Sequence, residues 1–156
     1  MKTGIVFSLL LILGCHSPGN IQHPTSELTA KQLVPMGRVI FHEDKGWELI
    51  SSASHFGFSF TGDECRITAS LSDWQDHNYL QYVVDGVYQE KIRINKNDPS
   101  PIIIKANGKG PHEVWIYKAT EAHTGPVFIQ GLSGKNIQPV QRAKAPLIEF
   151  IGNSIT

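Results

Sequence analysis

The segment Phe56-Gly57-Phe58-Ser59-Phe60 places three aromatic rings two residues apart. A two-residue period puts all three on one face of an extended strand, which must then be buried against another layer. Gly62-Asp63 is expected to end that strand, and Cys65, Ile67, Ala69 and Leu71 resume the same period. Residues 79–84 and 87–94 flank Asp85-Gly86, the two-residue signal of a type I′ hairpin. Residues 102–104 and 114–117 are expected to pair through Asn107-Gly108-Lys109-Gly110-Pro111, and 127–129 closes the series. No stretch sustains the 3.6-residue period of a helix over ten or more residues. About eight short strands separated by turn residues define an all-β fold, an antiparallel β-sandwich of the jelly-roll kind, over residues 34–134.

The flanking segments differ in composition. Lys2 precedes an apolar run from Gly4 to Leu13, far short of the ~20 residues that span a bilayer as a helix. Residues 1–14 therefore read as an export signal. Ile12-Leu13-Gly14-Cys15 resembles a bacterial lipobox, which implies lipid on Cys15 and a chain anchored to the cell envelope, either periplasmic or at the surface. An ordinary secretory signal with an incidental cysteine is the alternative. Residues 15–33 are polar, contain two prolines and read as a tether. Cys65 alternates with polar neighbours and is expected to be a small buried residue. Fourteen basic residues balance fourteen acidic ones without any basic block, which argues against nucleic acid as a partner. No His-x-x-x-His or Cys–His spacing suggests zinc, and no glycine-rich loop suggests a phosphate, so no metal or cofactor is expected.

After a polar linker at 135–145, residues 147–151 form an apolar run with only Glu149 charged, the pattern of a strand buried on both faces. It feeds Gly152-Asn153-Ser154-Ile155-Thr156. A serine delivered by a strand to a glycine-flanked turn is how several hydrolases expose a nucleophile to backbone N–H donors. The block at 148–156 resembles the first block of SGNH (GDSL-type) hydrolases. The domain before it is similar to the N-terminal jelly roll of carbohydrate esterase family two, through Gly37-Arg38-Val39, Tyr82-Val83-Val84-Asp85-Gly86, and Lys118-Ala119-Thr120-Glu121-Ala122 followed by Gly125. The resemblance implies an α/β domain opening at residues 146–156. It also implies Ser154 as nucleophile and backbone oxyanion donor, and acetylated plant polysaccharide (xylan or glucomannan) as substrate. Asn153 replaces the commoner aspartate beside the nucleophile.

The family's histidine base lies in later blocks, and the seven histidines present all precede Ser154. They are expected to lie on the sandwich or in the tether, out of reach of the serine hydroxyl. The chain is therefore expected to be the front part of an esterase, inactive without the rest of its catalytic domain. Trp74, in the polar loop Ser72-Asp73-Trp74-Gln75-Asp76-His77-Asn78, either stacks on a sugar ring or folds over the sheet edge as a lid. Trp47 and Trp115 are expected in the core. Glu121 is expected to be structural rather than an acid catalyst. The reading from another class is a lipid-anchored carbohydrate-binding jelly roll without catalysis.

Overall fold

The computed structural model describes residues 27–98 and 101–143. Among them the chain forms strands β1 (Glu27–Thr29), β2 (Val39–His42), β3 (Gly46–Leu49), β4 (His55–Leu71) and β5 (His77–Val84). These are followed by β6 (Val87–Tyr88), β7 (Ile92–Asn95), β8 (Ile102–Lys105), β9 (Pro111–Lys118) and β10 (Val127–Val140). Every pairing between them is antiparallel. The order β2-β3-β10-β4-β9-β5-β6, with β1 on β10, β8 on β4 and β7 on β5, is one sheet curled upon itself. The two longest strands, β4 and β10, belong to both layers.

The curl is written into the phase of the buried residues. In β4 the inward side chains are Phe56, Phe58 and Phe60, then Cys65 and Ile67, so the phase slips between residues 60 and 65. The register slips at the same place: Thr61 faces Lys135 and Arg66 faces Ser133, five residues advancing against two. Extra residues in one strand bend it and restore inward pointing beyond the bend. Gly62 sits there with φ +109, and a Cβ would meet nothing within 4 Å, so backbone conformation is what favours glycine. The strand expected to stop at Gly62-Asp63 thus turns the corner and continues. β10 bends to match, with one extra residue after Ile129 and another after Lys135, where Asn136 has φ +52.

Three other expectations change. β8 and β9 do not pair with each other: Ile103 lies opposite Arg66, and Trp115 opposite Gly57 and Val83. The two strands flank opposite halves of β4, so the loop between them crosses its bend rather than closing a hairpin. Part of the expected linker, Lys135 to Val140, is the second half of β10; only Ile137 is buried there, because its neighbours face water or occupy the bulge. Part of the expected tether is also in the fold, since β1 pairs with β10 and Leu28, Ala30 and Leu33 are buried.

The core is continuous between the layers. Phe56, Phe58 and Phe60 lie fully buried in a row, with ring centroids 6.2 and 6.3 Å apart, packed among Ile67, Ile104, Ile116 and Ile129. Removing each ring from water contributes about 1.5–3 kcal/mol. Cys65 lies in the same core, where burial pushes its thiol up to about 12, as expected of an inert residue.

The Asp85-Gly86 hairpin has both residues at positive φ, 50 and 81, as a type I′ turn requires. Asp85 also ties the turn to β9. Its Oδ1 accepts the Glu113 backbone N–H at 2.8 Å, and its Oδ2 lies 2.7 Å from Nδ1 of buried His112. The hydrogen bond to Asp85 raises the His112 pKa, while that same bond and the Glu113 N–H lower that of Asp85. A raised histidine stabilises below its unfolded value of about 6.5, and a lowered aspartate above its unfolded value of about 3.9. The pair is therefore fully stabilising between those limits, fading as pH falls through the folded Asp85 value or rises through the folded His112 value. The melting-temperature gap between wild type and His112→Gln should be widest from pH 4 to 6.5 and narrower at pH 9.

Candidate functional site

Cys15 and Ser154 lie outside the described residues. Trp74 lies within them, at one end of the sandwich. There the connection from β4 to β5 meets the one from β9 to β10, and Ala53 and Ser54 hydrogen-bond to the backbone of Lys118, where the second connection begins. Trp74 is 67% exposed. With two-thirds of its surface open to solvent it is not a lid over the core, and the turn that carries it closes on itself. Gln75 N–H donates to Ser72 O at 3.0 Å, and Ser72 N–H donates to Gln75 Oε1 at 2.8 Å.

Beneath the ring is a buried polar framework. Gln75 Nε2 donates to Thr124 O at 2.9 Å, and Asn78 Nδ2 donates to Gly125 O at 3.0 Å, clamping the two connections together. Gly125 has φ +89, and a Cβ there would stand 2.5 Å from Gln75 Cδ and 2.7 Å from Trp74 Cη2. The indole edge and the Gln75 amide therefore both rest on Gly125, which supports an aromatic side chain that remains open to solvent.

Lys118 completes the framework. It is 1% exposed, and its Nζ donates to Thr120 O and Thr120 Oγ1 at 2.8 Å and to Glu121 O at 2.9 Å. Thr120 Oγ1 in turn donates to Asn78 Oδ1, so a polar chain runs from the ammonium to the clamp on Gly125. All three acceptors of Lys118 are neutral, and burial pushes its pKa down to about 8. At pH 7 the group remains charged. Lys118 was legible in outline: it is in phase with His112, Val114 and Ile116, the buried side of β9. Gln75, Asn78 and Gly125 gave no periodic signal, since their function depends on a partner some fifty residues away in sequence.

Glu121 is structural through its carbonyl, which accepts from Lys118 Nζ and Thr124 Oγ1; its carboxylate is exposed and 3.0 Å from His123 Nδ1. Trp47 packs against the core with its indole N–H donating to Ala30 O at 2.8 Å. Trp115 does not. Its neighbours Val114 and Ile116 point inward, so the alternation of β9 sends Trp115 to the outer face, where it packs on Gly57. No group of three or more His, Cys, Asp or Glu is placed to hold a metal ion among the described residues.

The described residues thus form a curled, all-antiparallel jelly roll with a supported, exposed aromatic at one end. The model of the carbohydrate esterase 2 N-terminal family matches residues 35–141, and the chain belongs to that family. It is 30% identical over 126 residues to Cellulase/esterase CelE of Acetivibrio thermocellus, covering 77% of this chain and 15% of that protein. A family two carbohydrate esterase from Clostridium thermocellum, solved with cellohexaose, superposes with a TM-score of 0.57 at 23% identity, covering 72% of this chain and 34% of that one. The carbohydrate-binding module CBM36, solved with calcium and xylotriose, superposes with a TM-score of 0.56 at 12% identity over 70% of this chain and 98% of the module. At these identities the solved structures share the fold. The chain spans about a seventh of the curated relative and a third of the solved esterase.

Proposed function

We propose that this chain is the N-terminal part of an exported, lipid-anchored esterase that removes acetyl groups from plant polysaccharides. The observation that carries the reading is the succession of a family two esterase N-terminal domain and Gly152-Asn153-Ser154, the block in which SGNH hydrolases hold their nucleophile. Ser154 attacks the acetyl carbonyl and its backbone N–H donates to the oxyanion; a histidine encoded further along takes the proton. Cys15 carries the lipid, and residues 16–26 hold the sandwich off the membrane. The direct test compares the 156-residue chain with the protein continued through its α/β domain on a synthetic acetyl ester. The longer protein should hydrolyse it and the shorter one should not. Serine-dependent turnover by the 156 residues alone would overturn the assignment.

Trp74 favours a second role for the sandwich, contact with the polysaccharide. An exposed indole on a hydrogen-bonded support, with Asp73 and Asp76 beside it, suits stacking on a pyranose ring while polar neighbours reach its hydroxyls. Trp74→Ala should weaken retention on xylan or mannan about tenfold, roughly 1.4 kcal/mol, with an unchanged melting temperature. Unchanged retention would remove Trp74 from the contact and, with it, the reading of this chain as a binding module.

A further inference from the structure

On the outer face of β4, β9 and β5 one apolar row lies between Gln138, Ser59 and Glu113 on one side and His55, Tyr117 and Gln81 on the other. The register places Val140, Gly57, Trp115, Val83 and Tyr88 in one row across five strands. Val83 is only 7% exposed, yet it stands outside the core cluster, on the side of β5 that faces away from it. Tyr88, at the end of the row, is 72% exposed. In the next row His55 stacks on Tyr117 with ring centroids 5.1 Å apart. His55 Nδ1 donates to Ala53 O at 2.8 Å, which leaves Nε2 as the acceptor; Nε2 is shielded and, among the described residues, has no hydrogen-bond partner. A buried acceptor left unpaired costs on the order of 1–3 kcal/mol.

The path of the chain identifies what arrives. Beyond β10, Arg142 lies over this face: its guanidinium is 4.7 Å from the Trp115 ring centroid, and its Nη2 donates to Tyr117 OH. From Arg142 to Leu147 is five residues, at most about 17 Å of extended chain, or three to four strand widths. A domain beginning with the apolar strand at 147–151 must therefore start close to this face. A sugar is a poor occupant by comparison, since the Trp115 ring already carries Arg142 and its indole N–H already donates to Glu113 Oε1 at 2.7 Å.

We infer that the outer face of β4, β9 and β5, centred on Trp115 and Tyr117, is the surface on which the α/β domain opened by residues 146–156 docks. The inference rests on the proposed esterase reading for the identity of that domain, and the two are separable by experiment. Hydroxyl-radical footprinting of the protein continued through its α/β domain, against the 156-residue chain, reads the face directly. Oxidation of Trp115 and Tyr117 should fall at least fivefold in the longer protein, with Trp74 serving as an exposed reference that does not change. Equal oxidation of Trp115 in both overturns the docking, even where the longer protein hydrolyses acetyl esters. Protection without any ester hydrolysis supports the docking and removes the esterase. Protection of Trp115 in the 156-residue chain by raising its concentration, or by added xylo-oligosaccharide, would instead give the face to a second copy or to sugar and overturn the proposal.

Discussion

Replacing Ser154 with alanine, in the protein carried through its α/β domain, is expected to lower hydrolysis of an acetyl ester by about three to six powers of ten. The size follows from what a nucleophile does. Its loss removes the covalent step, and only positioning and the oxyanion donors remain. Those donors include the backbone N–H of residue 154, which alanine retains. Folding should be unaffected, within about 0.5 kcal/mol, because the substitution removes a single hydroxyl and no apolar surface. The variant should therefore still bind substrate, with the loss falling on kcat rather than KM. Turnover within tenfold of wild type would show that Ser154 is not the nucleophile.

The second large effect concerns stability. Lys118→Ala should destabilise the sandwich by about 3–5 kcal/mol, because Thr120 O, Thr120 Oγ1 and Glu121 O lose their shared buried donor. Asn78 then loses the ordered Thr120 hydroxyl, and the clamp on Gly125 loosens beneath Trp74. Chemical denaturation checks the magnitude, and a rise in Trp74 mobility by fluorescence anisotropy checks its origin. A pH signature separates this from simple loss of packing. The folded pKa of Lys118, about 8, lies below the unfolded value of about 10.4. Between these values the unfolded chain binds more protons, so wild-type stability gains from this group as pH rises from 8 to 10. Below pH 8 the full cost of burying the ammonium is borne. Lys118→Met should remove the gain; an identical pH profile in wild type and variant would mean that burial does not lower the Lys118 pKa.

The two-residue period exposed most of the strands because burial on one face imposes it, as at Phe56, Phe58 and Phe60. It also concealed the corner. When the phase slips at Gly62, a reader following alternation sees two strands where the hydrogen-bond ladder runs through. The second half of β10 escaped for a related reason: Lys135, Asn136 and Gln138 satisfy the chemistry of a linker, and a single inward residue, Ile137, sets no period. Trp115 was misjudged on residue type, since the statistics of tryptophan favour burial while the phase of β9 already placed it outside. At the candidate site Trp74 was visible as an aromatic among polar residues. Its support was not, since Gln75, Asn78, Thr120 and Gly125 matter only once distant connections are brought together. The proposed nucleophile, Ser154, and the proposed lipid site, Cys15, rest on local sequence motifs that lie outside the described residues.

β10 is the last strand of the sandwich to leave the ribosome, yet it pairs with β1, β3 and β4 and holds the two layers together. Until residue 140 has been made, the earlier strands lack the ladder that would close them into a barrel-like unit. Such non-local pairing makes assembly late and slow. The delay suits the export proposed above, because a polypeptide that cannot collapse before its central strand arrives stays threadable through a translocation channel.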